Sequence, residues 1–166
     1  MKDYIKLRGS SIHHKGVFAS KDIPKGTRII EYIGEKITKA ESEKRADITL
    51  VKAEKSKKHG AVYIFELNKR HDIDGNVPNN IAKYINHSCS ENCESDIIKG
   101  KIWIIASKDI KKGEELTFDY GYDIEDYEDH LCKCGSSDCI GYIIAEEYRP
   151  KLLRLLRKRK NIKAEA

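Results

Sequence analysis

The sequence predicts a mainly β domain with few helices, closed by a basic helix at its C-terminus. Three observations carry that reading. Short apolar runs alternate with turn residues through most of the chain, helix-forming composition is confined to two charged stretches, and 166 residues at 19.0 kDa suit one core. Charged residues make up 36% against 39% hydrophobic, enough apolar side chain to fold, which excludes wholesale disorder.

In chain order, Gly16 to Ala19 reads as a strand, Ile23-Pro24-Lys25-Gly26 as a turn and Arg28 to Ile33 as a second strand. Thr38 to Gly60 is rich in Ala, Glu and Lys and predicts one helix plus an exposed loop, with Thr38 and Glu41 spaced as a capping box. Val62 to Leu67 and Lys101 to Ala106 predict two more strands, the second around Trp103. After it, Asp109-Ile110-Lys111-Lys112-Gly113 repeats the turn chemistry of Asp22-Ile23-Pro24-Lys25-Gly26, over too few residues to predict a structural repeat. The last helix starts at about Glu146. The longest unbroken apolar run, Ile102 to Ala106, is five residues, whereas a membrane-spanning helix needs about 20. The start Met1-Lys2-Asp3-Tyr4 has no apolar segment, so neither an anchor nor a secretory signal is expected, and a reducing intracellular compartment follows.

In such a compartment five cysteines read as metal ligands or free thiols rather than as a disulfide framework. Cys132, Cys134 and Cys139 crowd around a Gly135 turn, so that three sulfurs can aim at one point. A tetrahedral zinc needs a fourth ligand, and Cys89, Cys93 and His87 are the candidates upstream. Four thiolates would make a closed, structural site that staples the C-terminal segment onto the body. The competing reading is a set of unmetallated surface thiols.

The net charge of +5 sits in the stretch from Glu146, where eight Lys/Arg face three Glu. Leu152, Leu153, Leu155 and Leu156 are interleaved with those cations, so the leucines would pack the helix while its basic face meets DNA, RNA or an acidic partner. Simple solubility explains the same pattern. From Asp119 to Asp129 there are six carboxylates and no Lys or Arg. They read either as an acidic rim that attracts a lysine-rich peptide or as a solvated charge run.

Asn86-His87-Ser88-Cys89 with Asn92, then Glu115-Leu116-Thr117-Phe118-Asp119-Tyr120-Gly121, then the Cys-x-Cys-x4-Cys run, resemble in order the two core motifs and the post-SET motif of SET-domain protein lysine methyltransferases. Gly16-Val17-Phe18-Ala19 and Glu31-Tyr32-Ile33-Gly34-Glu35 resemble that family's N-terminal half. The resemblance runs from about residue 4 to 142. It implies a β-clip-like fold of small sheets around a pseudoknot, where the segment bearing Asn86 and His87 is crossed by the strand end bearing Tyr120. It also implies a division into a SET domain over 1–121 with a helical insert at about 38–60, a post-SET segment over 122–145 and the basic helix over 146–166.

The implied activity is transfer of methyl groups from S-adenosylmethionine to a protein lysine, with S-adenosylhomocysteine as product. The cofactor binds one face and the lysine enters by a channel from the other. An ammonium has no free lone pair, so desolvation that favours the neutral amine does part of a base's work. Phenols and carbonyls align that amine without adding a stabilising carboxylate.

By this resemblance Tyr120 is the catalytic tyrosine, Tyr32 the channel tyrosine, and Phe118 sets the space left for added methyls. Phe in place of Tyr implies the di- or trimethyl state. Asn86 and His87 hold the cofactor, Tyr63 contacts it, and His13, Lys15, Gly16 and Val17 align with the cofactor loop. Lys83 and Tyr84 also align with cofactor-binding positions, Lys83 standing where an Arg is common and adding a weaker contact. Asn79 and Glu91 also depart from the pattern, the latter replacing a Pro. Asp119 braces the crossing. Cys89, rather than Cys93, joins Cys132, Cys134 and Cys139 on one structural zinc. The implied partner is a basic protein or peptide with a target lysine, a histone or chromatin-like protein, with nucleic acid contact through the basic helix and no membrane. The location expected is cytoplasmic or nucleoid- and chromatin-associated, with export to a host nucleus a further setting. The alternative function is a zinc-stabilised module that binds nucleic acid or lysine tails without catalysis.

Overall fold

The computed structural model describes residues 4–56 and 62–164, so the end of the expected helix and loop, 57–60, lies outside the described residues. Among the described residues ten short strands, in four small sheets, and two α-helices are joined by turns and 3-10 segments. Strands β1 (Ile5–Gly9) and β2 (Lys15–Ala19) form an antiparallel hairpin. Strand β3 (Arg28–Tyr32) pairs antiparallel with β9 (Lys101–Ala106), which pairs with β8 (Cys93–Ile98). Between β8 and β9 the two-residue loop Lys99-Gly100 has φ of 51° and 74°, the double left-handed turn that suits the twist of a tight hairpin.

Strand β4 (Glu35–Thr38) pairs with β6 (His71–Asp74), and β6 with β5 (Ile64–Asn68). Helix α1 (Lys39–Ser56) follows β4. Only half of the expected capping box forms: Thr38 Oγ1 accepts the Glu41 amide at 3.3 Å, while the Glu41 carboxylate turns away to Arg45 at 2.8 Å. This helix buries little of its first three turns. It is pinned instead by Arg45, which also reaches Glu35 and Asp74 at 2.7 Å, and by Lys39, which meets Asp72 at 2.6 Å.

The main core gathers Val17, Ile29, Ile85, Ile102, Ile104, Ile110 and Leu116, all at or below 2% exposure. The two similar turns meet inside this body. Ile23 and Ile110 form an antiparallel bridge, the Asp109 carboxylate accepts the Lys25 amide at 2.8 Å, and the Asp22 carboxylate accepts the Lys112 amide at 2.9 Å. Each copy of the motif therefore caps the other, an exchange that the brevity of the similarity concealed. A second, smaller cluster of Tyr127, Ile144 and Leu152 lies in the C-terminal segment. There a 3-10 turn over Glu146–Tyr148 leads into helix α2 (Arg149–Ala164). Of its four leucines, Leu152 is fully buried and Leu156 half-packs, whereas Leu153 and Leu155 are exposed, so the helix docks by a narrower stripe than the sequence predicts.

Candidate active site and metal centre

The site is built where strands β7 (Asn86–His87) and β10 (Thr117–Phe118) pair in parallel, Asn86 opposite Thr117 and His87 opposite Phe118. The Asn86 and Tyr120 segments thus meet, as the pseudoknot implies. Two residues per strand make few ladder bonds, and Asn92 supplies the rest. Its Nδ2 donates to the Glu115 carbonyl at 2.8 Å and its Oδ1 accepts the Thr117 amide at 2.9 Å. Only a side chain carrying both donor and acceptor can do this.

Beside the junction lies a cavity of about 840 Å³ lined by Tyr32, Phe118, Tyr120, Tyr122, Asn86 and His87, among others. Its aromatic wall is continuous. Ring centroids step from Tyr32 to Phe65 at 4.7 Å, Phe65 to Phe118 at 5.5 Å, Phe118 to Tyr120 at 5.0 Å and Tyr120 to Tyr122 at 5.7 Å. The Tyr32 hydroxyl donates to the Tyr63 carbonyl at 2.9 Å and the Tyr120 hydroxyl to the Ile85 carbonyl at 3.1 Å. Burial raises both phenols well above their ordinary pKa, so they stay protonated. Gly75 makes room for the Tyr32 ring, since a Cβ there would overlap its hydroxyl edge.

Of the residues expected to hold a cofactor, His13, Tyr63, Lys83, Asn86 and His87 line this cavity. Lys15, Gly16, Val17 and Tyr84 do not. Gly16 and Val17 are buried in β2, and Tyr84 is flanked by the Lys15 and Lys83 ammonium groups, 5.2 Å and 5.3 Å from its ring centroid. Lys83 itself donates to the Val77 carbonyl at 3.0 Å and to Asn76 Oδ1 at 3.5 Å. The Asn86 amide donates to the Lys15 carbonyl at 2.9 Å and to Glu115 Oε1 at 2.7 Å. Glu115 also accepts the Ser10 hydroxyl at 2.9 Å and fills the space where Gly16 lacks a Cβ. Sequence reasoning passed over Glu115 as a motif neighbour, although its partner Ser10 precedes the aligned cofactor loop.

His87 is almost fully enclosed, and burial lowers its pKa to about 4, against the pull of Asp119 and with help from Arg149. The ring is therefore neutral, and its Nδ1 accepts the Tyr120 amide at 3.2 Å. That bond turns the chain so that the Tyr120 side chain enters the cavity. Asp119 accepts amides from Gly121 at 3.0 Å and Glu146 at 2.8 Å, together with Arg149 Nη2 at 3.1 Å.

The sulfurs of Cys89, Cys132, Cys134 and Cys139 lie within 4.8 Å of one another. Cys89 Sγ is 3.8 Å from Cys132 Sγ and 4.0 Å from Cys139 Sγ. A tetrahedral zinc with bonds of about 2.3 Å separates its sulfurs by about 3.8 Å, so the four thiols fit a structural zinc. Burial pushes Cys132 and Cys89 up, whereas the Ser136 hydroxyl and neighbouring amides draw Cys134 down to about 6 against its own burial. Cys93 is fully buried at the start of β8, pushed up to about 12 by burial, with its thiol 3.5 Å from Asn92 Oδ1 and outside the cluster. His87 Nε2 lies 3.8 Å from Cys89 Sγ, beside the centre rather than in it.

Among the described residues no helix is long and apolar enough to cross a membrane. The SET domain family model matches residues 14–121. Over 143 residues the chain is 38% identical to the human protein named histone-lysine N-methyltransferase 2D, covering 83% of this chain and 2% of that protein. The fruit fly (Drosophila melanogaster) histone-lysine N-methyltransferase trr is 39% identical over 143 residues, 83% of this chain and 6% of its own length. A protein of Aspergillus oryzae named histone-lysine N-methyltransferase, H3 lysine-4 specific, is 36% identical over 148 residues, 86% of this chain and 12% of its own. The chain thus spans a small fraction of the relatives it matches. With the paired Asn86 and Tyr120 segments, the phenol-lined cavity and a family match over most of its length, the chain belongs to the SET-domain family.

Proposed function

We propose that the chain is a protein-lysine N-methyltransferase that moves methyl groups from S-adenosylmethionine to a lysine of a basic, DNA-associated protein, and that S-adenosylhomocysteine is its product. One observation carries the reading: Tyr32, Phe118, Tyr120, Asn86 and His87 converge on one cavity at the β7–β10 junction. When bound, S-adenosylmethionine supplies a methyl carbon on a positively charged sulfur, open to displacement by an amine. His13, Tyr63, Lys83, Asn86 and His87 would hold it, with Lys15, Gly16, Val17 and Tyr84 supporting from behind.

The incoming lysine arrives as an ammonium and must shed its proton to expose a lone pair. Aromatic walls favour the neutral amine by desolvation. Tyr32 and Tyr120 have committed their hydroxyl hydrogens to the Tyr63 and Ile85 carbonyls, so their oxygens are left as acceptors that align the amine and the methyl hydrogens. The neutral amine, held in line by the Tyr32 and Tyr120 oxygens, would take the methyl that the cofactor would supply. Phe118 puts no hydroxyl at the end of this passage, which supports a di- or trimethylated product. Phe118→Tyr should then shift products toward fewer methyls by mass spectrometry.

Histone or chromatin-like substrates are favoured by the names of the relatives and by α2, where Lys151, Arg154, Arg157 and Lys158 line a shallow groove around the exposed Leu155. Such a face suits phosphate contacts that would hold the enzyme near a DNA-bound substrate. A chromatin- or nucleoid-associated location follows, and in a chain delivered to a host nucleus the same chemistry would act on host histones.

The deciding assay offers labelled methyl donor to histones and to basic DNA-binding proteins, comparing wild type with Tyr120→Phe. Expected is transfer that falls about 100-fold in the variant, with cofactor affinity by calorimetry unchanged. Absence of both transfer and cofactor binding would leave the non-catalytic zinc module as the function.

A further inference from the structure

We propose that Arg149 is a positioning residue: it latches the start of α2 onto the two segments that hold Tyr120, and its contacts with Cys89 and Asp119, rather than the apolar docking of the helix, set the phenol for methyl transfer. The inference rests on the methyltransferase reading and extends it to a residue outside the cavity.

Arg149 opens α2, and its side chain is 15% exposed. Nη1 donates to the Cys89 carbonyl at 2.8 Å, and Nη2 donates to Asp119 Oδ2 at 3.1 Å and lies 3.8 Å from Glu91 Oε2. One guanidinium thereby joins the loop after β7, the chain leaving β10 and the helix it starts. The first of these parts also carries Cys89 of the thiol cluster. The Asp119 carboxylate continues the chain of contacts, because it also takes the amides of Gly121 and Glu146. Tyr120 is bracketed between Asp119 and Gly121, and its own amide is held by His87. Moving Asp119 therefore moves the peptide that aims the phenol.

A planar fork with several donors can span a carbonyl and a carboxylate at once, whereas an ammonium serves them only as a point charge. Arg149 Nε is buried with no partner, a local cost that offsets part of what the Nη contacts contribute to folding. Stability alone thus gives a poor account of an arginine here, and geometry a better one. Leu152, one turn further along α2 and 0% exposed, supplies the apolar anchoring in the cluster with Tyr127 and Ile144, whereas Tyr120 packs against the main core.

The test compares Arg149→Ala, Arg149→Lys, Asp119→Asn and Leu152→Ala in the zinc-loaded full chain. Turnover and KM are measured on the substrate found with labelled methyl donor, together with cofactor affinity, zinc content and amide hydrogen exchange. Arg149→Ala should lower kcat about tenfold or more with cofactor affinity and zinc retained, and should speed exchange at Tyr120 and Gly121. Arg149→Lys should recover part of both, and Asp119→Asn should resemble Arg149→Ala. Leu152→Ala should loosen α2 yet keep kcat and Tyr120 protection near wild type at temperatures where it stays folded. Wild-type kcat and protection in Arg149→Ala, or equal losses in Leu152→Ala, would overturn the latch. If Arg149→Ala does not fold, Arg149→Lys and Asp119→Asn decide the same question. A wild type that transfers no methyl group defeats the enzyme reading alone, and the exchange comparison still decides the latch.

Discussion

The body up to Gly121 and the segment from Tyr122 onward are held together by different means. In the body, strands from distant parts of the chain share one core, from Ile5 at its start to Phe118 at its end. In the segment, Tyr127, Ile144 and Leu152 are the buried members of a separate small cluster, and much of the remaining attachment is polar or sulfur: Arg149 on Cys89 and Asp119, the Glu146 amide on the Asp119 carboxylate at 2.8 Å, and four thiols. The body can keep its shape by burial. The segment is too small for that, so it leans on the body it covers and on the zinc that its four thiols fit.

Removing the metal is the strongest way to break this contrast. Structural zinc is worth roughly 10 kcal/mol or more of apparent binding energy in small domains. A strong chelator should therefore release the segment to proteolysis between 122 and 164 while a protease-resistant body persists. Simultaneous loss of both would show that they are one cooperative unit.

Truncating one core residue in each region sharpens the contrast further. Ile104→Ala and Ile144→Ala each remove a fully buried side chain and should each cost about 2–5 kcal/mol. Thermal melts should register Ile104→Ala as a fall in global Tm. Ile144→Ala should instead appear as faster amide exchange confined to the segment and α2.

Strands with an alternating or continuous apolar face were legible in the sequence: β2, β3, β5 and β9. Among the others, β1, β4, β6 and β8 share a physical reason. In β1 and β8 one residue of the strand is buried, Ile5 and Cys93, and the rest are exposed or half-exposed. In β4 only Ile37 is buried, and in β6 the buried residue is Asp72. Such strands exist because a neighbour pairs with them, and no periodicity announces it. The site divides the same way. Tyr32, Tyr120, Asn86 and the clustered cysteines stand in recognisable local patterns, whereas Glu115, Gly75 and Arg149 act on partners 105, 43 and 60 positions away, Ser10, Tyr32 and Cys89, which no short window contains.

Smaller effects test the body alone. Asp22→Ala and Asp109→Ala should each lower Tm slightly, and the double variant should fall by less than the two together, because both carboxylates pin one contact between paired turns. A double-mutant cycle measures this. At neutral pH the buried phenols contribute no titration. Tyr32 and Tyr120 keep their protons above the pH where an unfolded tyrosine loses its own, about 10, so stability is full below that pH and falls as pH rises past it. Ultraviolet titration should find exposed tyrosines ionising first and these two only as the fold opens.

The exchange between the paired turns also fixes a length. Ile110 is pinned opposite Ile23, the Gly113 and Leu116 amides are tied to the Ala19 and Val17 carbonyls, and the Thr117 amide is held by Asn92. The stretch between those pins is a ruler with no slack. One inserted residue would swap which side chains face inward and carry Tyr120 off its mark, while the Lys99-Gly100 hairpin tip, tied to neither end, could grow without the catalytic tyrosine noticing.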